Sequence, residues 1–223
     1  MAGLQSIINM AETMEINRRR VLGVQYSRSE VARVNETVTR NTWKFNVTVT
    51  AMLPYQEYRT LLEDIDRLDR RLPEIITFNP DTGASSGLGY MFNYQGDMTP
   101  SDIANITVSS WSGNTLEITN LPTASPTLAL FRKGDFIQIA DYPYPFTTQY
   151  DVLRGSGSTA TITTHRPNFM GTAVVGQHIR AGNDVQFKMF VNNMPTYRLN
   201  PGGSTSLVTW SGPFQFYEYT GDV

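Results

Sequence analysis

From Trp43 to Leu53 the chain alternates. Trp43, Phe45, Val47, Val49, Ala51 and Leu53 fall on one side, and Lys44, Asn46, Thr48 and Thr50 on the other. Successive side chains of an extended strand point to opposite faces, so this period of two describes a strand with one dry face. It is about twice the usual length of ~5–6 residues. A strand this long must be paired on both sides, or its margin stays open for another chain. Pro54 then breaks the run and suits the first turn of a helix. From Tyr55 the period changes. Tyr58, Leu61, Leu62, Ile65, Leu68 and Leu72 recur at steps of three and four, which predicts an amphipathic helix of about four turns. Arg67, Arg70 and Arg71 gather at its end, where cations suit the helix dipole, and Pro73 closes it.

Around this signal the first third reads as strand, strand, helix, strand. Val21–Ser27 and Val31–Thr39 are extended, and Glu74–Phe78 is a short apolar return strand. Residues 4–16 read as a short amphipathic helix on Leu4, Ile7, Ile8 and Ala11. Charge is dense and balanced up to residue 79, with 11 basic and 10 acidic groups out of chain totals of 18 and 20. Beyond Asn79-Pro80-Asp81-Thr82-Gly83 it thins, and a Ser/Gly-rich stretch follows to Gly89. Three segments follow from this: an N-terminal arm over 1–20 that orders against a neighbour, a unit over 21–79, and a β-rich region over 80–223 that can complete the same barrel.

In that last region turn signals recur every 8–14 residues, as in sandwiches and barrels and not in βαβ units. Ile103–Ser110 and Thr115–Thr119 read as a hairpin. Leu128–Phe131 and Asp135–Ala140 flank Lys133-Gly134, and Tyr150–Leu153 and Thr159–Thr163 flank Gly155-Ser156-Gly157. Val174-Val175, Asp184–Val191, Thr196–Leu199 and Leu207–Tyr219 complete the series. The fold class is mainly β with one amphipathic helix, that is, α+β.

Composition narrows the chemistry. There is no cysteine, which removes disulfides, thiolate metal sites and cysteine nucleophiles. The net charge of −2 disfavours a general electrostatic grip on nucleic acid. Only 17% of residues are charged, so Thr, Ser, Asn and backbone must cover the surface, as in β-rich chains and wet interfaces. No apolar run reaches the ~18–20 residues that cross a bilayer, and residues 1–20 are too acidic for a signal peptide. Three Asn-x-Thr triplets, at Asn35, Asn46 and Asn105, read as chance matches in a Thr-rich chain made in a cytosol.

Candidate reactive groups are few. His165 and His178 read as ordinary imidazoles, with no third metal ligand at helical spacing. A Ser-His-Asp triad needs no sequence adjacency, but no Gly-x-Ser-x-Gly stands at a strand–helix turn. Gly155–Ala160 mimics a dinucleotide fingerprint, yet a strand pattern follows where that motif requires a helix. Glu63, Asp64, Asp66 and Asp69 lie beside arginines on the polar helix face and read as solvated salt links. No cofactor or metal is expected. The interface candidates are the basic run Arg18, Arg19 and Arg20 and two aromatic groups, Tyr142, Tyr144 and Phe146, then Trp210, Phe214 and Tyr217. The rings suit a stacking platform for a glycan or peptide, or a β core with subunit contacts.

The long strand, the Pro54-Tyr55 switch, the Tyr58–Leu72 helix and the return strand Ile75–Phe78 resemble the barrel-and-helix unit of tailed-phage tail-tube, tube-initiator and distal-tail (baseplate hub) proteins. The runs Phe131–Ile139, Asp151–Gly157 and Trp210–Phe216 are similar to those of phage baseplate structural proteins. The resemblance covers most of the chain. It implies a split-barrel or tail-tube-like antiparallel barrel with a second β-sandwich or barrel region, and no catalytic residues. It also implies a threefold or sixfold ring of identical subunits at the tube–baseplate junction of a virion. Neighbouring tube and baseplate proteins would flank the ring, and DNA would pass without specific binding. A β-sandwich module for a host receptor or glycan is the alternative, and a hydrolase joining an imidazole to a carboxylate is a third.

Overall fold

The structure is a computed structural model that describes residues 3–17, 22–26, 32–36, 42–49, 53–67, 72–78, 87–202 and 205–221. It opens with helix α1 (Gly3–Asn9) and strand β1 (Ala11–Asn17). Leu4, Ile7 and Ile8 are buried in the protein's own core, and β1 pairs antiparallel with the long strand described below. Residues 3–17 are therefore not an arm waiting for a neighbour. The helix stops early because alternation takes over: Met14 and Ile16 turn toward the core, while Thr13, Glu15 and Asn17 face solvent. The backbone of β2 (Leu22–Tyr26) and β3 (Ala32–Glu36) forms an antiparallel hairpin, as the extended pattern predicts.

Next come β4 (Lys44–Val49), β5 (Leu53–Pro54), α2 (Tyr55–Asp66) and β6 (Glu74–Thr77). The dry face is as predicted, with Trp43, Phe45, Val47 and Val49 all at or below 4% exposure. The extended run nevertheless serves two sheets, because β5 leaves the sheet of β4 for another. Pro54 sits at the helix N-cap, and Leu62 and Ile65 of α2 are buried. The helix is shorter than its pattern. Leu72, expected on the dry face, is 63% exposed. It precedes Pro73, whose ring disfavours helical backbone in the residue before it.

A 3-10 turn at Gly87–Phe92 leads to α3 (Pro100–Asn105), which carries a capping box between Thr99 and Asp102. The strands that follow are β7 (Thr107–Ser112), β8 (Thr115–Thr119), β9 (Ala129–Phe131), β10 (Phe136–Ile139), β11 (Phe146–Thr147), β12 (Val152–Leu153), β13 (Ala160–Thr163) and β14 (Ile179–Ala181). The chain closes with β15 (Gln186–Asn193), β16 (Tyr197–Gly202), β17 (Thr205–Trp210) and β18 (Phe214–Glu218). The β7–β8 hairpin is the one expected, except that Ile103–Asn105, read as the start of its first strand, belong to α3. The strands flanking Lys133-Gly134, and those flanking Gly155–Gly157, do not pair with each other: β9 pairs with β12, β10 with β11 and β14, and β13 with β8. Val174 belongs to a 3-10 turn, not a strand. The run Leu207–Tyr219 is two strands broken at Ser211-Gly212-Pro213.

The fold is mainly β, and its principal sheet curls into a half-barrel. Its order is β1-β4-β18-β15-β6, antiparallel throughout, so strands from the first 78 residues enclose strands from the last 38. Buried side chains divide accordingly into two clusters. One runs from Leu4 to Phe92 and resumes at Val185; the other lies between Met98 and Ala181. The stretch between is thus a β body inserted into the first unit. The segmentation at 79/80 does not follow this division, because the sequence beyond it supplies both bodies.

Candidate functional site

The two bodies meet at a buried ion pair. Arg166, just after β13, is fully buried, and Glu218 ends β18 at 4% exposure. Arg166 Nη2 donates to Glu218 Oε1 at 2.7 Å and Nη1 to Oε2 at 2.5 Å, a two-pronged match of guanidinium to carboxylate. Glu218 Oε2 also accepts the Trp43 backbone N–H at 3.0 Å. The Pro145 carbonyl accepts from Arg166 Nη2 at 2.9 Å and from the Trp43 indole at 2.8 Å. The guanidinium lies 4.6 Å from the centre of the Phe146 ring and 4.9 Å from that of Phe169. His165 is buried beside it. Its Nδ1 accepts the Thr147 N–H at 3.0 Å, and its ring sits 5.1 Å from Trp43. Such a pair fixes geometry more than it adds stability, because desolvating both charges cancels much of their attraction. Chemically the joint is a clamp between two β bodies.

A second polar cluster orders the turn inside the Phe131–Ile139 run. Asp135 Oδ2 accepts the Arg132 N–H at 2.8 Å, and Oδ1 accepts that of Gln95 at 2.9 Å. Burial pushes the Asp135 carboxyl up from its ordinary value, and these amide bonds hold it back only in part. Asp151 is exposed and shifts the other way, lowered mainly by the Lys133 N–H it accepts at 2.8 Å. Arg132 spans Asp97 at 3.6 Å and Asp151 at 3.4 Å. Gly134 takes φ +96°, which a side chain would resist. Nearby, the Tyr94 hydroxyl donates to the Leu130 carbonyl, and burial pushes its pKa to about 12.

The reactive candidates are scattered. His178 is exposed on the inserted body, far in character from the buried His165. Two grooves, of about 260 and 290 Å³, are lined respectively by Tyr94, Met98 and Ile103 and by Ile16, Trp43 and Phe136; neither is lined by a histidine. Among the described residues no three His, Cys, Asp or Glu side chains gather to hold a metal. No helix there is long and apolar enough to cross a membrane. The Gly155–Gly157 turn does not resemble a phosphate cradle in polarity. Arg154 fills it, donating to the carbonyls of Pro122, Gly155 and Gly157 at 2.8, 3.2 and 2.6 Å. Glu63, Asp64 and Asp66 are exposed on α2; Asp69 lies outside the described residues.

The interface candidates divide by burial. Tyr144 and Phe146, at 2% and 0% exposure, are core groups of the inserted body, and Phe214 is core of the first. The strand pattern placed them inward, so no partner can reach them, and the Tyr142–Phe146 platform is reduced to the half-buried Tyr142. Trp210 is half-buried between Tyr197 at 5.5 Å and Phe214 at 4.8 Å. Tyr217 is half-buried on the outer face of the sheet under Lys44. Arg18, Arg19 and Arg20 lie outside the described residues. Sequence reasoning did not find Arg166 and Glu218. They stand 52 positions apart, and no local pattern links them.

One surface element stands out from the cores. Strands β16 and β17 pair over six residues, and β16 is a margin of its three-stranded sheet. Arg198, Leu199, Asn200 and Pro201 are all exposed, with Leu199 at 48%. No known family model matches the chain, and no curated protein matches it by sequence.

Proposed function

We propose that this chain is a structural, non-enzymatic subunit of a tailed-phage virion, forming a threefold or sixfold ring around the DNA channel where the tail tube meets the baseplate. The observation that carries this reading is the β16–β17 hairpin: a six-residue strand pairing on one side only, with a large apolar residue, Leu199, in the open. Exposed strand margins invite pairing with another chain, and soluble monomers avoid or blunt them. Here Pro201 blunts only one position of the margin. The resemblance implies a split-barrel or tail-tube-like antiparallel barrel, and the curled half-barrel sheet supports that reading if neighbouring copies complete it. Neighbouring tube and baseplate proteins are the expected partners above and below, and passing DNA meets a wall without specific contacts. The test is particle composition. Quantitative mass spectrometry of purified virions should find three or six copies of this chain per particle, and cryo-EM should place it in a ring on the tail axis. Its absence from virions would sink the reading.

A further inference from the structure

Two strand margins of the first body lie open, and they face opposite ways. Among the described residues no strand pairs with the far side of β1 or of β16, whereas at β6 the Gln5 amide already takes the Thr77 N–H and carbonyl. Val47 stands opposite Phe214 and Leu53 opposite Val208, the same number of positions on in each strand, so the register of β4 with β18 carries through to β5 with β17. β1 flanks this double run on the β4 side and β16 on the β17 side. Every pairing across it is antiparallel, so β1 and β16 run in opposite senses. A copy set alongside without being turned over therefore presents its β1 antiparallel to the β16 of its neighbour.

Hydrogen-bond parity decides which groups each margin offers. Along an antiparallel strand, residues turn their N–H and C=O alternately to one side and the other. The Ser211 N–H donates to the Thr196 carbonyl at 2.8 Å, so Arg198 and Asn200 bond β17, and Tyr197, Leu199 and Pro201 turn outward. Pro201 has no N–H to offer, which suits an outward position. The Glu218 N–H donates to the Trp43 carbonyl at 2.9 Å, so Phe45 and Val47 bond β18, while Lys44, Asn46 and Thr48 bond β1. Their partners are Asn17, Glu15 and Thr13, which turns Met14 and Ile16 outward. The side chains match as well. Leu199, 48% exposed, stands opposite the fully buried Val208 and so lies on the core face with Tyr197; Met14 and Ile16 are half-buried on the core face of β1. Arg198 and Glu15 are exposed on the outer face.

We infer that β16 of one copy pairs antiparallel with β1 of the next, in the register that sets Tyr197 opposite Ile16, Arg198 opposite Glu15 and Leu199 opposite Met14. Tyr197 and Leu199 then exchange both backbone groups with their partners. The apolar side chains extend one core face across the joint, and a cation meets a carboxylate on the outer face. The neighbouring registers of the same parity are poorer. One sets Pro201 opposite Met14, where no N–H is offered. The other carries Leu199 to Glu12, inside the irregularity between Ala11 and Thr13. A β16–β16 pair would end at two copies and set Arg198 opposite Asn200, with no carboxylate. Because the two margins differ, the contact is head-to-tail, and it closes only as a ring or runs on as a filament. The inference rests on the ring reading and names what the β16 margin receives.

The chain has no cysteine, so introduced thiols report this contact alone. Glu15→Cys and Arg198→Cys, made in separate full-length chains with different isotope labels and mixed under mild oxidation, should form a mixed disulfide. Directly opposed residues of a non-hydrogen-bonded pair lie about 4.5 Å apart at Cα, within disulfide reach. Arg198→Cys linking only to itself would mean a twofold β16 pair and overturns the inference. So does a mixed disulfide that forms no faster than one with Glu63→Cys on α2, or no link at millimolar protein. In sedimentation velocity, Leu199→Pro removes one outward N–H, spares the β17 ladder, and should move association to at least about tenfold higher concentration. Should this variant unfold, Arg198→Glu reads the same contact. It should weaken association about three- to tenfold, and adding Glu15→Arg should restore it. Association of the folded variants at wild-type concentrations overturns the contact, and a ring found in virions would then still stand. The Glu15–Arg198 link in a chain absent from virions supports the contact while the tail reading fails.

Discussion

The two bodies of this chain satisfy their backbones in different ways. In the first, strands of up to eight residues form a five-stranded sheet, with the smaller β16-β17-β5 sheet on the same core, and aromatic rings fill the space beneath: Phe78 stacks on Phe92 at 4.2 Å, and Phe45 meets Phe187 at 5.2 Å. In the inserted body β11 and β12 are two residues long and belong to separate small sheets. Backbone groups there turn to side chains instead. Asp135 takes the N–H groups of Arg132 and Gln95, Asp97 takes that of Ala129, and the Asn114 amide donates to the Thr164 carbonyl. A buried polar backbone group without a partner is costly, so where the ladder is short a polar side chain must replace it. The first body should therefore be sensitive to apolar positions and the second to polar ones.

The largest expected effect is in the first body. Val47 is fully buried between Met14 of β1 and Phe214 of β18, and Val47→Asp places an unpaired carboxylate there. The cost of several kcal/mol is comparable to the whole stability of a domain, about 5–15 kcal/mol. No soluble folded protein should accumulate. A soluble variant melting at the wild-type temperature would break both the strand assignment and the contrast.

The joint comes next, because it decides whether the two bodies melt together. Glu218→Gln leaves a fully buried guanidinium without its counter-charge, and should lower stability by about 3–5 kcal/mol in urea titration. Arg166→Met with Glu218→Leu removes both charges and should cost much less. If Glu218→Gln melts like the wild type, the pair is not the clamp its geometry describes. A split into two transitions in this variant would sharpen the comparison, because each body would then report separately.

The strand at Trp43–Val49, the start of α2 and the β7–β8 hairpin were legible because each is fixed by neighbours in sequence: alternation, a proline, a tight turn. The inserted body was not legible as a body. Its boundary depends on β18 and β15 returning to pair beside β4 and β6, across more than 100 residues, and periodicity carries no information about which strand pairs with which. Burial of Tyr144, Phe146 and Phe214 was within reach of the sequence, since each alternates with less buried neighbours or lies in an apolar run. Residue type left a stacking platform and a β core with subunit contacts both open, and burial places these three in the core. The Arg166–Glu218 pair left no trace, because a buried charge looks in sequence like an exposed one.

Polar sensitivity of the inserted body is tested at Asp135. Asp135→Asn turns an amide NH₂ or its oxygen toward two N–H donors, so at least one loses its acceptor, at about 1–3 kcal/mol. The pH dependence has a definite sign. The folded carboxyl titrates above the ordinary 3.8, so the folded protein binds the proton more tightly than the unfolded chain. This residue's contribution to stability therefore rises as pH falls through the raised value toward 3.8, and is lost again as pH climbs back. The deficit of Asp135→Asn against the wild type should deepen in acid across that window. A deficit that shrinks instead would mean the charged form is the favoured one in the fold. Asp151, lowered in the same turn, works in the opposite sense and loses its contribution as pH falls.

The smallest effect tests the first body by the rule of the second. At the margin β6 the sheet ends on a side chain: Gln5 of α1 donates Nε2–H to the Thr77 carbonyl at 3.0 Å and accepts the Thr77 N–H with Oε1 at 2.8 Å. Its amide stands in for one residue of a further strand, and it blocks the position where another chain would pair. Gln5→Ala should cost about 1–2 kcal/mol, since it removes these two bonds and a third from Nε2 to Asn9 Oδ1 at 3.0 Å, all at a partly wet edge. Gln5→Glu keeps the acceptor but sets a carboxylate oxygen against the Thr77 carbonyl, so it should cost at least as much at neutral pH. Amide hydrogen exchange at Thr77 separates the roles. It should accelerate in Gln5→Ala and stay slow in Gln5→Glu, and equal rates in all three proteins would show that the margin is protected by something other than this amide.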